Sequence, residues 1–112
     1  MTLETSGTGI ILALTNPVPG REAEFNKWYD DVHVKDLVAV AGIGAAQRYR
    51  VVAAKNLPAS PYEYLTIYRT DVPLDQVFAN MAATRDQRVI SDSLGPGGGL
   101  WSFEPIGPRV TE

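Results

Sequence analysis

Twice along the chain the apolar period changes from two to 3.6 and back, and that rhythm constrains the fold more than any single motif. The run Ile10-Ile11-Leu12-Ala13-Leu14 is closed by Asn16-Pro17-Val18-Pro19-Gly20, so residues 9–15 are predicted to form a buried strand after a polar lead-in over residues 1–8. From Arg21 onward Phe25, Trp28, Tyr29 and Val32 follow helical spacing, with Glu22 and Glu24 well placed in the first turn. Residues 35–40 continue as a second short helical turn, and Ala41-Gly42 ends it. Residues 43–52 then alternate, with Ile43, Ala45, Gln47, Tyr49 and Val51 on one side and Gly44, Ala46, Arg48 and Arg50 on the other. A proline-bearing loop over residues 55–61 leads to a third strand at residues 62–70. Asp71-Val72-Pro73 opens a second amphipathic helix marked by Leu74, Val77, Phe78 and Met81, which ends before Val89. Gly95-Pro96-Gly97-Gly98-Gly99 reads as a flexible loop, and residues 100–106 as a last strand with Trp101 and Phe103 on one face.

The order strand, helix, strand, strand, helix, strand is the split βαβ arrangement of the ferredoxin-like plait. This predicts an α+β fold with one antiparallel four-stranded sheet and two main helices on one face, in a single domain spanning residues 1–112. Two helices cover only one face of such a sheet. The other face would carry Tyr and apolar side chains in either register, so it is expected to be covered. Face-to-face dimerisation, closing two sheets into a dimeric α/β barrel with an interior cavity, answers that need.

Composition removes several classes of function. Lys and Arg number 10 against 13 Asp and Glu, a formal net charge of −3 with no basic block, which argues against a nucleic-acid partner. Cysteine is absent, so disulfides, thiolate nucleophiles and Cys-held metals are excluded. Histidine occurs once, too few for a site of two imidazoles in one chain. Ser91-Asp92-Ser93 lacks the nucleophile-elbow pattern, and the glycines at 95–99 lack the Lys of a phosphate loop. No metal and no cofactor is therefore expected. Glu4 stands where a secretion signal would place a base, and the longest apolar stretch, residues 37–46, is half of the roughly 20 residues a membrane helix needs. A cytoplasmic protein without a membrane partner is the resulting expectation.

The segment Phe25-Asn26-Lys27-Trp28-Tyr29-Asp30-Asp31-Val32-His33-Val34-Lys35-Asp36-Leu37, with Val40-Ala41-Gly42-Ile43 and Arg48-Tyr49-Arg50, resembles the EthD-like branch of the dimeric α/β-barrel superfamily. Members of that branch show an aromatic pair, an acid, and a single His just before a short hydrophobic turn and Pro-Gly. Here Ala41-Gly42 replaces Pro-Gly, a departure that touches the turn and not the chemistry. The resemblance covers most of the chain and implies a homodimer with the matching His near a cavity mouth. It does not imply one reaction, because related barrels include polyketide cyclases, cofactor-free oxygenases, muconolactone isomerases and haem-degrading enzymes.

His33 is the one side chain whose ordinary pKa suits proton transfer near neutrality. On a regular helix Tyr29 and Asp30 precede it by four and three residues and Asp36 follows by three, so each is within reach. A carboxylate on one ring nitrogen would fix the tautomer and leave the other free as a base. The candidate catalytic set is therefore His33, Asp36 and Tyr29, against the plainer reading that His33 packs at a helix end beside Asp36. Candidate substrate-binding residues are Trp28, Tyr49, Tyr64, Tyr68 and Asn16. Tyr49, Tyr64 and Tyr68 are expected to point to the sheet face away from the helices, where phenols would suit a flat aromatic ligand or fill a dimer contact. Arg48 and Arg50 share a strand face that reads as a carboxylate site or a solvated edge. Two functions of different class follow. One is a small cofactor-independent enzyme acting by acid–base chemistry on an aromatic or polyketide-like molecule, as cyclase, isomerase, lyase or oxygenase. The other is a non-catalytic small-molecule-binding or accessory protein, with a haem-binding relative using His33 as axial ligand in third place.

Overall fold

The computed structural model describes residues 8–112, so the expected polar lead-in lies outside the described residues except for Thr8. The elements are β1 (Ile10–Thr15), α1 (Glu22–Trp28), a π-helical turn (Tyr29–His33), α2 (Val34–Val38), β2 (Ile43–Arg50), β3 (Tyr64–Thr70), α3 (Leu74–Ala83), a 3₁₀ turn (Arg85–Gln87) and β4 (Gly99–Phe103). The four strands lie in the order β2-β3-β1-β4, every neighbour antiparallel. This is the α+β ferredoxin-like plait that the period changes predict.

Register decides which side chains meet the helices. Ile11 pairs with Tyr68 and Ala13 with Thr66, and these side chains turn inward because cross-strand partners share a face. Ile11, Ala13, Tyr68, Leu37, Val40, Ile43 and Val77 form one buried cluster, and Phe25, Trp28 and Tyr29 form a second. Phe25 and Val77 have no exposed surface, and burying a side chain of this kind contributes roughly 1.5–3 kcal/mol.

Three expectations are corrected at this level. Tyr64 and Tyr68 lie on the helix side of the sheet, since Thr15 pairs with Tyr64 and the buried Ile11 with Tyr68, and only Tyr49 faces away. The alternation of β2 slips at its start, because two residues from Ile43 to Ala45 oppose the single step from Thr70 to Arg69. That β-bulge puts the buried Ile43 on the same side as Ala46 and Arg48, and turns Ala45, Gln47 and Tyr49 outward. Strand ends are also shorter than the sequence implies. β4 stops at Phe103, which pairs with Ile10 at the first residue of β1, so nothing remains for residues 104–106 to pair with.

The turn at Ala41-Gly42 does end the first helical segment. Gly42 has φ of +98°, and a Cβ there would sit 2.5 Å from Val72 Cγ2, so both conformation and space require glycine. The loop at residues 95–99 is packed against β1 and not free of it: Gly95 N–H donates to Asn16 O at 2.7 Å, and a Cβ on Gly98 would meet Leu14 O at 2.5 Å. The outer sheet face carries Leu12, Leu14, Leu65 and Ile67 with Tyr49, Trp101 and Phe103, the last three 44–49% exposed. No helix among the described residues covers it.

Candidate functional site

The cavity of interest lies between the helices and the sheet within one chain, not in a barrel interior between two sheets. It measures about 520 Å³, within the size range of small-molecule sites. β1 supplies Ile11, Ala13 and Thr15 to its floor, the helical segment supplies Trp28, Tyr29 and His33, and the glycine loop at residues 95–99 forms part of its rim.

The π-helical turn places His33. Val34 N–H donates to Tyr29 O, five residues back, which widens the helix by one residue at this point. In a regular α-helix, residues five apart point roughly 140° away from each other. Here the rings of Trp28 and His33 stack, with centroids 4.6 Å apart and planes 25° from parallel. Tyr29 meets the imidazole edge-on at 4.9 Å, and Trp28 is itself anchored by its Nε1–H donating to Val89 O at 2.9 Å. The imidazole is thus clamped by two aromatic faces. Burial in this pocket pushes its pKa down to about 4, and the positive charge of Arg88 acts in the same direction while Asp36 opposes both. His33 is therefore neutral at physiological pH.

The same wide turn sends Asp30 elsewhere. Its carboxylate accepts from Arg48 Nη1 at 2.8 Å, so Asp30 is not the partner of His33 that regular helical spacing suggests. Arg48 is no solvated edge residue either. Its guanidinium lies 4.4 Å over the Tyr29 ring, 5.3 Å over Tyr64 and 5.7 Å over Phe25, and donates to Asn26 Oδ1 at 2.8 Å. Arg50, by contrast, is exposed. The Arg48 cluster braces the helix against β2 and β3, and so fixes Tyr29 from behind.

Of the candidates read from the sequence, His33, Trp28, Tyr29 and Tyr68 come together around this cavity. Asp36 lies close enough to act on the His33 charge, with no hydrogen bond between them among the described contacts. Tyr64 is taken up by the Arg48 cluster, where its hydroxyl accepts from Asn26 Nδ2 at 3.1 Å. Tyr49 stands on the opposite face of the sheet. Asn16 ties the chain together locally: its Nδ2 donates to Pro61 O and its Oδ1 accepts from Glu63 N–H, both at 2.8 Å.

Sequence reading missed Thr15, Arg85 and Arg88, which also line the cavity. Thr15 ends a strand whose odd-numbered residues face inward, a signal visible in the alternation of β1. The arginines offered no signal, because the path of residues 84–98 follows no period. Of the residues that line the cavity, Thr15 and His33 each bury a polar atom, Oγ1 and Nδ1, with no hydrogen-bond partner among the described residues, while the buried Tyr68 hydroxyl interacts with Tyr29 and Thr66. A buried polar group without a partner costs roughly 1–3 kcal/mol, and native chains keep few. Burial also raises the Tyr68 phenol well above its ordinary pKa, aided by the neighbouring Tyr29, so it stays protonated and able to donate. Among the described residues, no three of His, Asp and Glu converge as a metal-binding group.

No family model matches the chain, and no curated protein matches it significantly. Among solved structures, its fold is similar to the crystal structure of an ethyl tert-butyl ether D (EthD) family protein from Bacillus halodurans C-125. The two share 16% identity with a TM-score of 0.53, over 88% of this chain and 99% of that one. At this identity the likeness establishes a shared fold and leaves the chemistry to the residues of this chain.

Proposed function

We propose that the helix–sheet cavity binds a small, largely apolar and aromatic molecule, and that the chain acts on it by acid–base chemistry without a cofactor. The carrying observation is a cavity of about 520 Å³, lined mostly by apolar groups, whose wall brings together Thr15, Trp28, His33 and Tyr68. Neutral His33 would accept a proton on its imidazole from an activated carbon or a phenolic oxygen. The imidazolium so formed gains support from Asp36, and the Tyr68 hydroxyl donates to the oxygen on which negative charge develops. Returning the proton to a second position on the same molecule completes an isomerisation or cyclisation.

His33→Asn tests this reading on the substrate once found. The expected loss is roughly 10²–10⁴-fold in rate, with folding and ligand affinity kept, and a rate within a few-fold of wild type would overturn it. One observation favours the binding-only alternative: with a pKa of about 4 and no carboxylate hydrogen-bonded to it, His33 is a weak base. In that case wild type and His33→Asn return the bound molecule unchanged alike. The apolar outer sheet face is proposed to be covered by a second copy of the chain, giving a homodimer.

A further inference from the structure

The chain as a whole is acidic, with a formal net charge of −3, yet among the described residues no Asp or Glu lines the helix–sheet cavity, and the charged side chains that do are Arg85 and Arg88. They are three residues apart across the 3₁₀ turn, with Arg88 N–H bonded to Arg85 O at 3.2 Å, and in such a turn residues i and i+3 eclipse on one side. Neither arginine has an ion pair among the described residues.

Arg88 is half-buried and held in place. Its Nη1 donates to Thr84 Oγ1 at 3.0 Å and its Nη2 to Met81 O at 2.9 Å, contacts that fix the guanidinium beside the end of α3. Neither partner neutralises its charge. Arg85 is exposed at the same edge of the cavity. For a half-buried, positioned guanidinium with no ion pair among the described residues, a planar oxyanion is the group whose geometry matches it best.

Resting on the reading of this cavity as a ligand site, we infer that its ligand is an anion: an apolar or aromatic body carrying a carboxylate, with the body against Trp28, His33 and Tyr68 and the carboxylate at Arg88 and Arg85. The pairing divides the site by task. The side chains of His33 and Tyr68 would meet the reacting part of the molecule, while the arginines hold its far end and set its orientation. The positive edge also discriminates against neutral molecules of the same shape, since these would leave Arg88 without a counter-charge.

The test uses the whole protein and a pair of nearly isosteric probes, 2-naphthoate and 2-naphthamide, followed by two-dimensional NMR with the Trp28 indole N–H and the backbone amides of Gly95, Gly97, Gly98 and Gly99 as reporters. Naphthoate is expected to bind at least tenfold more tightly than the amide and to shift these resonances. Arg88→Gln should bring the two affinities within about twofold while leaving that of the amide nearly unchanged. Arg85→Gln, at an exposed position where folding is safe, should reduce the preference by a smaller factor, and added salt should do likewise. Equal affinity for the two probes, with both shifting the cavity resonances, would overturn the anion inference and leave the cavity as a ligand site. Failure of both probes to shift those resonances at millimolar concentration would overturn the cavity reading and the inference with it.

Discussion

At the residue scale, His33 is defined by where burial places its pKa. With a folded value of about 4 against an ordinary 6.5, the unfolded chain takes up a proton before the folded chain does as pH falls. The stability this imidazole contributes is therefore intact above pH 6.5 and is lost as pH falls through 6.5 toward 4, by up to roughly 3 kcal/mol. His33→Gln is expected to lose less stability over that window than wild type, as measured by denaturant unfolding at a series of pH values. Since there is one histidine in the chain, its Cε1–H resonance can be followed without assignment ambiguity. A titration midpoint near 4 is expected, and a midpoint near 6.5 would mean an open, hydrated imidazole. If His33 is the base, its rate profile turns over near 4 too, so activity should be level from pH 6 to 8. His33 stands out in the sequence as a candidate because it is the one side chain there whose ordinary pKa suits proton transfer near neutrality. Its stacking partner was not legible there, because regular helical spacing points to Tyr29 and Asp30, while one extra residue in the turn adds Trp28 beside Tyr29 and leaves Asp30 to Arg48.

At the scale of elements, local period was informative wherever the backbone is regular. β1, α1, β3 and α3 lie where alternation and helical spacing put them, since each buries one face. Two single-residue insertions escaped it: the π-helical turn and the β-bulge after Ile43. Each leaves composition unchanged yet re-aims every side chain beyond it, and this is why Arg48 faces the aromatic cluster and Tyr49 faces outward. The inner positions of Tyr64 and Tyr68 depend on which residue of β1 they oppose, a long-range fact that no local pattern holds. Two substitutions test these junctions. Gly42→Ala forces a side chain into a left-handed conformation against Val72 and should destabilise the fold by about 1–3 kcal/mol, read from the denaturation midpoint. Phe25→Ala empties the centre of the aromatic cluster beneath Arg48 and should cost about 3–5 kcal/mol, whereas the exposed Tyr49→Ala should stay within about 1 kcal/mol in the isolated chain.

At the scale of the whole molecule, one sheet separates two surfaces of different use. The inner one faces the helices and encloses the cavity. The outer one carries Leu12, Leu65, Ile67, Trp101 and Phe103, with Gln47 and Arg69 toward the β2 side, and its apolar part fits closure by a second copy. Light scattering at micromolar concentration should give about twice 12.2 kDa, and Ile67→Arg, in the middle of that face, should return the monomer mass without loss of helix. A stable mass of one chain for the wild type would remove the dimer. The division of labour between the two faces also makes the location of the ligand decisive. A crystal structure of the protein grown with a ligand recovered from its own purification would settle where a small molecule sits. Density for it is expected between helices and sheet, in contact with the side chains of His33 and Tyr68 and beside Trp28. Density lodged instead against Trp101 and Tyr49 on the outer face, with the helix–sheet cavity free of it, would contradict the assignment of the site.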